Sequence, residues 1–399
     1  MKQLLLFASL CILFDACTQK KSADSSSDAK PSKEQNEIGV IDITQTNYPK
    51  KECEIEMDYI PLETRDDVLL DRTLLLSHLS ESRIVIANSG YNKGDIFIFD
   101  GKGKIVSKFK HKGQGPQEYV NIGQLVYDEK SREVFIFDLK KRCQVYSEDG
   151  VWLRTLQFPE YQSYTVGGGY AYCAFNFDDE TMFLHNDNKN SDSTFVFLSK
   201  KDGSVQSAIT LPLSYRISNV VEKKVGDMYW SYSVDFPNIC KNGDIYYLSE
   251  LSSDTIYQLG RDKQLRPFIV KKSSSGKDDE MLDVVNIIKA TDKYILFMII
   301  RYDISFKNPN NPNNFNSQML LYEFETQQTF TPDFKKGFSL GVSTRINASV
   351  STKNQIATFY NMDRLKKQLD EDQLEGKLKE ITEKAAEDDN PVLQIITLN

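Results

Sequence analysis

Short strand-like runs separated by turn residues recur along this chain, and that recurrence constrains the fold more than any other feature. One unit covers residues 83–109 with RIVIA, DIFIF and KIVSKF, and a second covers 134–156 with VFIFD, CQVY and VWLRTL. The runs are rich in β-branched and aromatic residues, and the turns between them contain glycine, for example Gly103 and Gly150. A four-stranded antiparallel unit that recurs roughly every 45–65 residues predicts a propeller blade.

Six such units predict an all-β fold, a six-bladed β-propeller of four-stranded antiparallel blades. Their second strands start near residues 83, 132, 182, 244, 293 and 355, and their third strands start near residues 95, 143, 194, 255, 319 and 392. The sixth unit has no fourth strand of its own. The strand-like segment 53–62 (CEIEMDYIPL) precedes the first unit, and we expect this N-terminal strand to close the ring. Two separate β domains are the alternative.

Residues 361–390 are the largest insertion, and their apolar pattern is helical. Met362, Leu365 and Leu369 recur at helical spacing, and so do apolar residues between 374 and 385. We expect one or two amphipathic helices, broken near 370–372, inserted in the last blade of a propeller that spans residues 38–399. The insertion is interpreted either as a lid packed on the propeller or as a docking element for a partner protein.

The first 37 residues predict export and a lipid anchor. Residues 4–14 are an apolar stretch too short to span a bilayer, which is typical of a signal peptide, here residues 1–16. Cys17 follows a small residue just after that stretch, as the lipidated cysteine of a bacterial lipoprotein does. Residues 17–37 contain no large apolar side chain and predict a disordered tether. The alternatives are an ordinary secretory peptide and a cytoplasmic chain.

Two stretches resemble a known family. HKGQGPQEY at 111–119, with LVYD and VFIFDLKKRCQVYSEDG after it, resembles an NHL-type repeat, and YIPLET at 59–64 is similar to a segment of six-bladed propeller lipoproteins of Bacteroidota. The resemblance is strong over residues 56–160 and depends on strand spacing elsewhere. It implies a propeller in the cell envelope and no assigned activity. In that group an acidic run after the lipidated cysteine accompanies surface display. Since no such run follows Cys17, we expect an outer-membrane lipoprotein, with the periplasmic side favoured.

The predicted connections sort by length onto two faces of the ring. The first face carries tight turns, and we call it the tight-turn face. The second, which we call the loop-rich face, carries the long connections 88–94, 139–142, 186–193, 250–254, 302–317 and 361–391 and the links 110–121, 213–230 and 271–280. Long loops on a rigid scaffold are where function usually lies. The candidate binding residues are polar, charged or aromatic residues in or beside these connections: Asn88, Tyr91, Glu118, Tyr119, Asp138, Lys140, Arg142, Glu250, Arg301 and Asp303.

Catalytic and cofactor motifs are scarce. The three histidines, His78, His111 and His185, lack zinc-site spacing, so we predict no metal site and can name no cofactor. The segment 113–118 begins like a dinucleotide fingerprint but has Glu118 where the third glycine should be. We interpret it as a tight link in which Glu118 or Tyr119 anchors adjacent blades. The cysteines outside the signal region are predicted to be half-buried thiols: Cys53, Cys143, Cys173 and Cys240.

The scarcity of catalytic motifs favours a binding protein over an enzyme, and the net charge narrows the class of partner. The formal net charge of −8 and the pI of about 5.2 argue against a nucleic-acid partner. The favoured hypothesis is a lipid-anchored binding or scaffolding module for a protein partner or a glycan at the cell envelope. The alternative is a calcium-assisted hydrolase or lactonase that uses polar residues near the central channel: Asn88, Asp138, Glu250 and Asp303.

Overall fold

A computed structural model describes residues 38–89, 93–138, 142–157, 174–186, 191–217, 220–233, 239–272, 280–305, 315–334 and 354–399. They belong to one compact unit, Ile38–Asn399. The expected signal peptide, Cys17 and the expected tether lie outside the described residues, so those expectations stay predictions.

Three short strands precede the blades, and blades 1 to 3 follow them. The short strands are β1 (Gly39–Asp42), β2 (Lys50–Cys53) and β3 (Ile55–Pro61). Blade 1 contains β4 (Leu74–Leu79), β5 (Arg83–Asn88), β6 (Ile96–Asp100) and β7 (Ile105–Phe109). Blade 2 contains β8 (Gln124–Asp128), β9 (Glu133–Asp138), β10 (Arg142–Ser147) and β11 (Trp152–Gln157). Blade 3 contains β12 (Ala174–Asn176), β13 (Thr181–His185), β14 (Phe195–Ser199) and β15 (Val205–Ile209).

A separate hairpin leads into the remaining blades. It consists of β16 (Val220–Val225) and β17 (Met228–Ser233). Blade 4 contains β18 (Ile239–Asn242), β19 (Ile245–Ser249), β20 (Thr255–Leu259) and β21 (Leu265–Lys272). Blade 5 contains β22 (Met281–Ala290), β23 (Tyr294–Asp303), β24 (Phe315–Glu323) and β25 (Thr329–Phe334). The last elements, which belong to blade 6, are β26 (Gln355–Tyr360), α1 (Met362–Asp370), α2 (Gly376–Lys384) and β27 (Val392–Leu398).

Blade 6 is closed by a strand from the other end of the chain. Its described strands are ordered β26-β27-β3. β3 pairs antiparallel with β27, from Pro61 opposite Val392 to Ile55 opposite Leu398. The predicted six-bladed propeller, closed by an N-terminal strand and carrying a helical insertion in its last blade, is therefore confirmed.

β1 and β2 were not predicted, and they extend two further blades. β1 pairs parallel with β21 of blade 4, and β2 pairs parallel with β25 of blade 5. With β3 they place residues 38–61 on the outer strands of three successive blades, and we call these residues the N-terminal belt. Ile41 and Ile43 of the belt are buried in the seam between blades 4 and 5. Strands of four residues are too short to show a period in the sequence, and nothing local marks their distant partners.

An apolar cluster fills each seam between neighbouring blades. In β5, Val85 and Ala87 belong to the cluster shared with blade 2, whereas Ile84 and Ile86 belong to the cluster shared with blade 6. Successive side chains of a strand point to opposite faces of its sheet. Because both faces of a blade are covered, its central strands must be apolar almost throughout, as RIVIA and VFIFD are.

Glycines in the turn between third and fourth strands let neighbouring blades approach closely. Gly103 and Gly150 have φ angles of +83° and +81°. A Cβ atom on Gly103 would lie 2.2 Å from the carbonyl oxygen of Pro61 in β3, and one on Gly150 would lie 2.5 Å from Cβ of Phe109 in blade 1. The recurrent glycine therefore meets two needs, a left-handed backbone and a close contact with the preceding blade.

The insertion in blade 6 folds as two antiparallel helices with a small core of their own. Leu365 and Leu378 are buried between the helices and the strand residues Tyr59, Tyr360 and Val392. Residues 371–375 separate the helices, which overlaps the break predicted near 370–372, and Asp372 has a φ of +53°. We call residues 361–390 the helical hairpin.

Candidate functional site

Three features raise the loop-rich face above the ring. The β16–β17 hairpin lies in the link between blades 3 and 4, and the helical hairpin lies in the loop between the second and third strands of blade 6. In blade 5, β22 and β23 are ten residues long, compared with six for β4 and β5. These features lie on the loop-rich face, which we define as the candidate functional site.

Asn88 and Asp138 end the second strands of blades 1 and 2, and each holds the link that enters its own blade. Asn88 accepts a hydrogen bond from the Asp71 N–H at 2.9 Å and donates one to the Leu69 carbonyl at 3.2 Å. Asp138 accepts hydrogen bonds from two successive backbone N–H groups of the link before its blade, at 3.0 and 3.3 Å. Both side chains are buried. They build the face, and a role in binding stays a prediction.

Glu118 and Arg142 fix the glycine-rich link 113–119. Oε2 of Glu118 accepts a hydrogen bond from the Gly115 N–H at 2.7 Å. A Cβ atom on Gly113 would lie 1.9 Å from the same oxygen. Nη2 of Arg142 donates to the Glu118 carbonyl at 2.6 Å, and its Nε lies 3.4 Å from Oδ2 of Asp138. The link therefore folds closely around the Glu118 carboxylate, in agreement with its interpretation as a tight connection.

Tyr119 joins this link to blade 1. Its side chain is fully buried, its hydroxyl donates to the Gly94 carbonyl at 2.5 Å, and it accepts from the His111 N–H at 3.1 Å. Tyr146 of blade 2 contacts it edge to face, with ring centroids 6.0 Å apart. Burial raises the pKa of the Tyr119 hydroxyl far above its usual range. Of the two residues that the sequence offered as anchors, Glu118 and Tyr119, it is Tyr119 whose side chain contacts both blades.

A buried charged cluster lies between blades 3 and 4. Nε2 of His185 lies 2.6 Å from Oε2 of Glu250, and Nη2 of Arg216 lies 4.0 Å from the same oxygen. Nζ of Lys271 donates to the Glu250 carbonyl at 3.3 Å. Arg216 also donates to the carbonyl of Asn186, so it ties the link before β16 to blade 3. Sequence analysis chose Glu250 of this cluster as a candidate because it lies at the end of a second strand on the loop-rich face. It did not link Glu250 to His185, which lies 65 residues away in the chain.

The surroundings of the cluster shift the pKa values of Glu250 and Lys271. Burial acts to raise the pKa of Glu250, but the His185 hydrogen bond and the nearby charges of His185 and Arg216 outweigh it, so that pKa lies below its usual range. Burial lowers the pKa of Lys271 to about 8, against the opposing attraction of Glu250 and Asp254. Glu250 is consequently a carboxylate at neutral pH and the compensating charge of the cluster.

Arg301 and Asp303 lie at the raised end of blade 5. Nε of Arg301 donates to Oδ1 of Asp283 at 2.6 Å, and Nη2 donates to Oδ2 at 3.2 Å, which is a bidentate pair. Asp283 is buried while Arg301 is partly exposed on the loop-rich face. Asp303 accepts a hydrogen bond from the Ser305 N–H at 2.9 Å. The structure places these two candidates in blade 5, where Tyr302 and Ile304 pack in one cluster with Ile217 and Leu251, the neighbours of Arg216 and Glu250 in the chain.

The tight-turn face carries ion pairs that sequence reasoning missed. Nε of Arg83 in blade 1 lies 2.5 Å from Oε1 of Glu148 in blade 2, and Nζ of Lys200 in blade 3 lies 2.8 Å from Oδ2 of Asp128 in blade 2. Lys200 and Asp128 are both buried. These pairs brace neighbouring blades on the side opposite the long loops. Only the blade repeat could have indicated them, since each partner lies one blade away.

The remaining candidates and site types can be placed briefly. Tyr91, Lys140 and Cys173 lie outside the described residues. Cys53, Cys143 and Cys240 are buried free thiols rather than half-buried ones. Over the described ranges, no group of three or more His, Cys, Asp or Glu residues is arranged to hold a metal ion, and neither helix is long and apolar enough to cross a membrane.

Comparison with known families identifies the chain's relatives. A family model described as "Domain of unknown function (DUF4934)" matches residues 39–397. The chain belongs to this family. The DUF4934 match runs from the N-terminal belt to the last strand, so belt, blades and helical hairpin all lie within it. The narrower resemblance to NHL-like lipoproteins stays a prediction.

One reported solved structure agrees with the fold of this DUF4934 member. A "Putative exported protein" from Bacteroides fragilis NCTC 9343 is 15% identical over 88% of this chain and 99% of its own, with a TM-score of 0.58. A catalytically inactive virginiamycin B lyase from Staphylococcus aureus is 11% identical over 87% of this chain and 100% of its own, with a TM-score of 0.38, too low to support an argument. The search of curated proteins found no match.

Proposed function

We propose that this protein is a lipid-anchored propeller of the cell envelope that binds a protein partner on its loop-rich face, with the helical hairpin as the docking element. The observation that carries the proposal is the rigid seating of a charged helical hairpin on the ring. A docking element must keep its shape when it is unbound, because ordering it on binding would weaken the complex.

The seating depends on Asn390, at the end of the hairpin. Its Nδ2 donates to the carbonyls of Glu63 and Val68 at 2.8 and 2.7 Å, and its Oδ1 accepts from the Leu70 N–H at 2.8 Å. Lys377 of α2 pairs with Asp58 of β3. The hairpin is thus held by buried backbone contacts to the link between blades 6 and 1, and it can present a fixed surface.

The outward surface of the hairpin is charged. Glu380, Glu383 and Glu387 are exposed at helical spacing along and just beyond α2. Within the described part of the chain none of the three takes part in an ion pair. Carboxylates that form no ion pair of their own favour a partner that presents lysine or arginine side chains.

The polar candidates on the rest of the face favour binding over hydrolysis. The Asn88 amide and the Asp138 carboxylate hydrogen-bond to the backbone of neighbouring links. The Glu250 carboxylate lies against the buried side chains of His185 and Arg216. They therefore define the shape and rigidity of the face. The expected export of this chain is supported by its apolar N-terminal stretch and Cys17, and the B. fragilis protein of similar fold is itself named as an exported protein.

The test uses the full-length chain, purified from membranes in mild detergent. We expect a defined protein to co-purify with the wild type and to be lost from a variant with Glu380→Lys, Glu383→Lys and Glu387→Lys. We expect Cys17→Ser to move the protein from the membrane fraction to the soluble fraction, because one lipid signal is removed.

The matched control carries Glu325→Lys, an exposed carboxylate in a turn of blade 5. It should retain the partner. A partner that the triple variant and the control retain equally would rule out docking through the helical hairpin, and membrane association unchanged by Cys17→Ser would rule out the anchor.

A further inference from the structure

Charges of opposite sign occupy two adjacent outer strands of the ring. On the belt, Glu54, Glu56 and Asp58 are exposed and alternate along β3 and the residue before it. On blade 1, Lys102 and Lys104 are exposed in the turn that leads into β7. Asp58 pairs with Lys377, whereas Glu54, Glu56, Lys102 and Lys104 form no ion pair within the described ranges.

The two strands are neighbours on the outside of the molecule. The Glu63 N–H, just after β3, donates to the Gly103 carbonyl at 2.8 Å, and the Ile105 N–H donates to Oε2 of Glu63 at 2.8 Å. Glu56 and Glu54 lie seven and nine strand positions before this contact, which is about 23 and 30 Å at ~3.3 Å per residue. An acidic patch and a basic patch thus lie on one outer edge of the ring, separated along β3.

This arrangement is self-complementary about a two-fold axis. If a second copy is turned by 180° about an axis between the two patches, the acidic patch of each copy faces the basic patch of the other. Met57, which is 36% exposed, lies between Glu56 and Asp58 in β3, and Val106, 44% exposed, lies just beyond the basic patch. Two β3 strands could not pair directly, because Glu56 of one would meet acidic residues of the other.

We propose that this outer edge of blades 6 and 1 is an interface at which two copies of the chain associate, with Glu54 and Glu56 of each copy against Lys102 and Lys104 of the other. The contact does not use Glu380, Glu383 or Glu387, so it can be tested separately from the proposed docking. Exposed ion pairs are individually weak, and the association is therefore of modest affinity and weakens as salt is added.

The test compares charge reversals in the full-length protein by sedimentation velocity in mild detergent. Wild type should form dimers at low salt and dissociate at high salt. The variant Glu54→Lys/Glu56→Lys and the variant Lys102→Glu/Lys104→Glu should each associate about tenfold more weakly or worse, since like charges then face each other. An equimolar mixture of the two variants should restore the dimer, because both variants together regain contacts between opposite charges.

A matched control exchanges exposed charges in the equivalent turns of blades 2 and 3, with Asp149→Lys and Lys201→Glu, and it should dimerise as the wild type does. Carbodiimide coupling of isotope-labelled with unlabelled wild type should yield amide links between Glu56 of one copy and Lys104 of the other. A wild type that stays monomeric at low salt, a mixture that does not recover, or links confined to single copies would each overturn the proposal.

Discussion

At the residue scale, the positions that matter most are glycines and buried charges. Gly103 and Gly150 stood out in the sequence as turn residues, and the structure adds a second role, contact with the preceding blade. Buried charges were harder to foresee. His185 and Glu250 are 65 residues apart in the sequence, and their 2.6 Å contact is set by the stacking of two blades. A single sequence carries no signal for such a pair.

Because Gly150 has both roles, adding one methyl group at this position should lower the stability of the protein strongly. Gly150→Ala should lower the free energy of unfolding by about 2–4 kcal/mol, because φ is positive and the Cβ atom would overlap Phe109. Gly376→Ala is the matched control, since φ is also positive there but no atom lies within 4 Å. It should cost about 1 kcal/mol. Urea unfolding of both variants measures the difference, and equal losses would remove the packing role of Gly150.

Burial of Lys271 predicts a pH dependence of stability. The pKa of Lys271 is about 8 in the folded protein and about 10.4 in an unfolded chain, so the unfolded state binds more protons between these pH values. Wild-type stability should therefore rise through this window relative to that of Lys271→Met, by about 2–3 kcal/mol. Lys272→Met, at the exposed neighbouring position, should follow the wild type. The measurement is urea unfolding at a series of pH values. If the free energies of unfolding of wild type and Lys271→Met changed equally with pH, the predicted role of Lys271 would be refuted.

At the element scale, the helical hairpin was predictable and its attachment was not. The apolar spacing of Met362, Leu365 and Leu369 indicated a helix, and α1 covers those residues. The attachment depends on Asn390, one polar residue among several near the end of the insertion. Its partners lie about 320 residues away in the chain. Side-chain to backbone contacts of that range have no sequence signature.

Asn390 should accordingly be the residue that fixes the hairpin. Asn390→Ala removes three hydrogen bonds and leaves buried backbone groups of Glu63, Val68 and Leu70 without them, so we expect a loss of about 2–4 kcal/mol and faster proteolysis within 361–390. Asn361→Ala, at the other end of the insertion, is the control because the Asn361 side chain makes no capping hydrogen bond. Equal proteolysis of the two variants would contradict the anchoring role.

At the scale of the whole molecule, the ring and its closure followed from the repeat, whereas the belt did not. The repeat works as a signal because each blade must bury both faces of its sheet, which leaves continuous apolar runs at regular intervals. β1 and β2 have four residues each and pair with strands of other blades. The candidate face was chosen from loop lengths, and the structure places three raised elements on it. Which of its residues meet a partner depends on that partner's surface, and no local pattern encodes this.

The belt should contribute to the stability of blades far from it in sequence. Ile41 is buried between blades 4 and 5, so Ile41→Ala should cost about 2–4 kcal/mol and speed hydrogen exchange in β21, the partner of β1. Val40→Ala, at the adjacent exposed position, should change stability by less than about 0.5 kcal/mol. Unchanged exchange in β21 for Ile41→Ala would mean that the belt adds nothing to blade 4.

Closure by β3 also means that blade 6 cannot be completed until the last strand of the chain has been synthesised. The ribosome makes residues 55–61 long before their partners at 392–398, and at about 5–20 residues per second the interval is roughly 15–70 s. A strand pair itself forms in microseconds, so β3 spends nearly all of this time synthesised but unpaired. The carboxylates of Glu54, Glu56 and Asp58 discourage wrong pairings of this waiting strand during that interval, since charged strand edges resist aggregation.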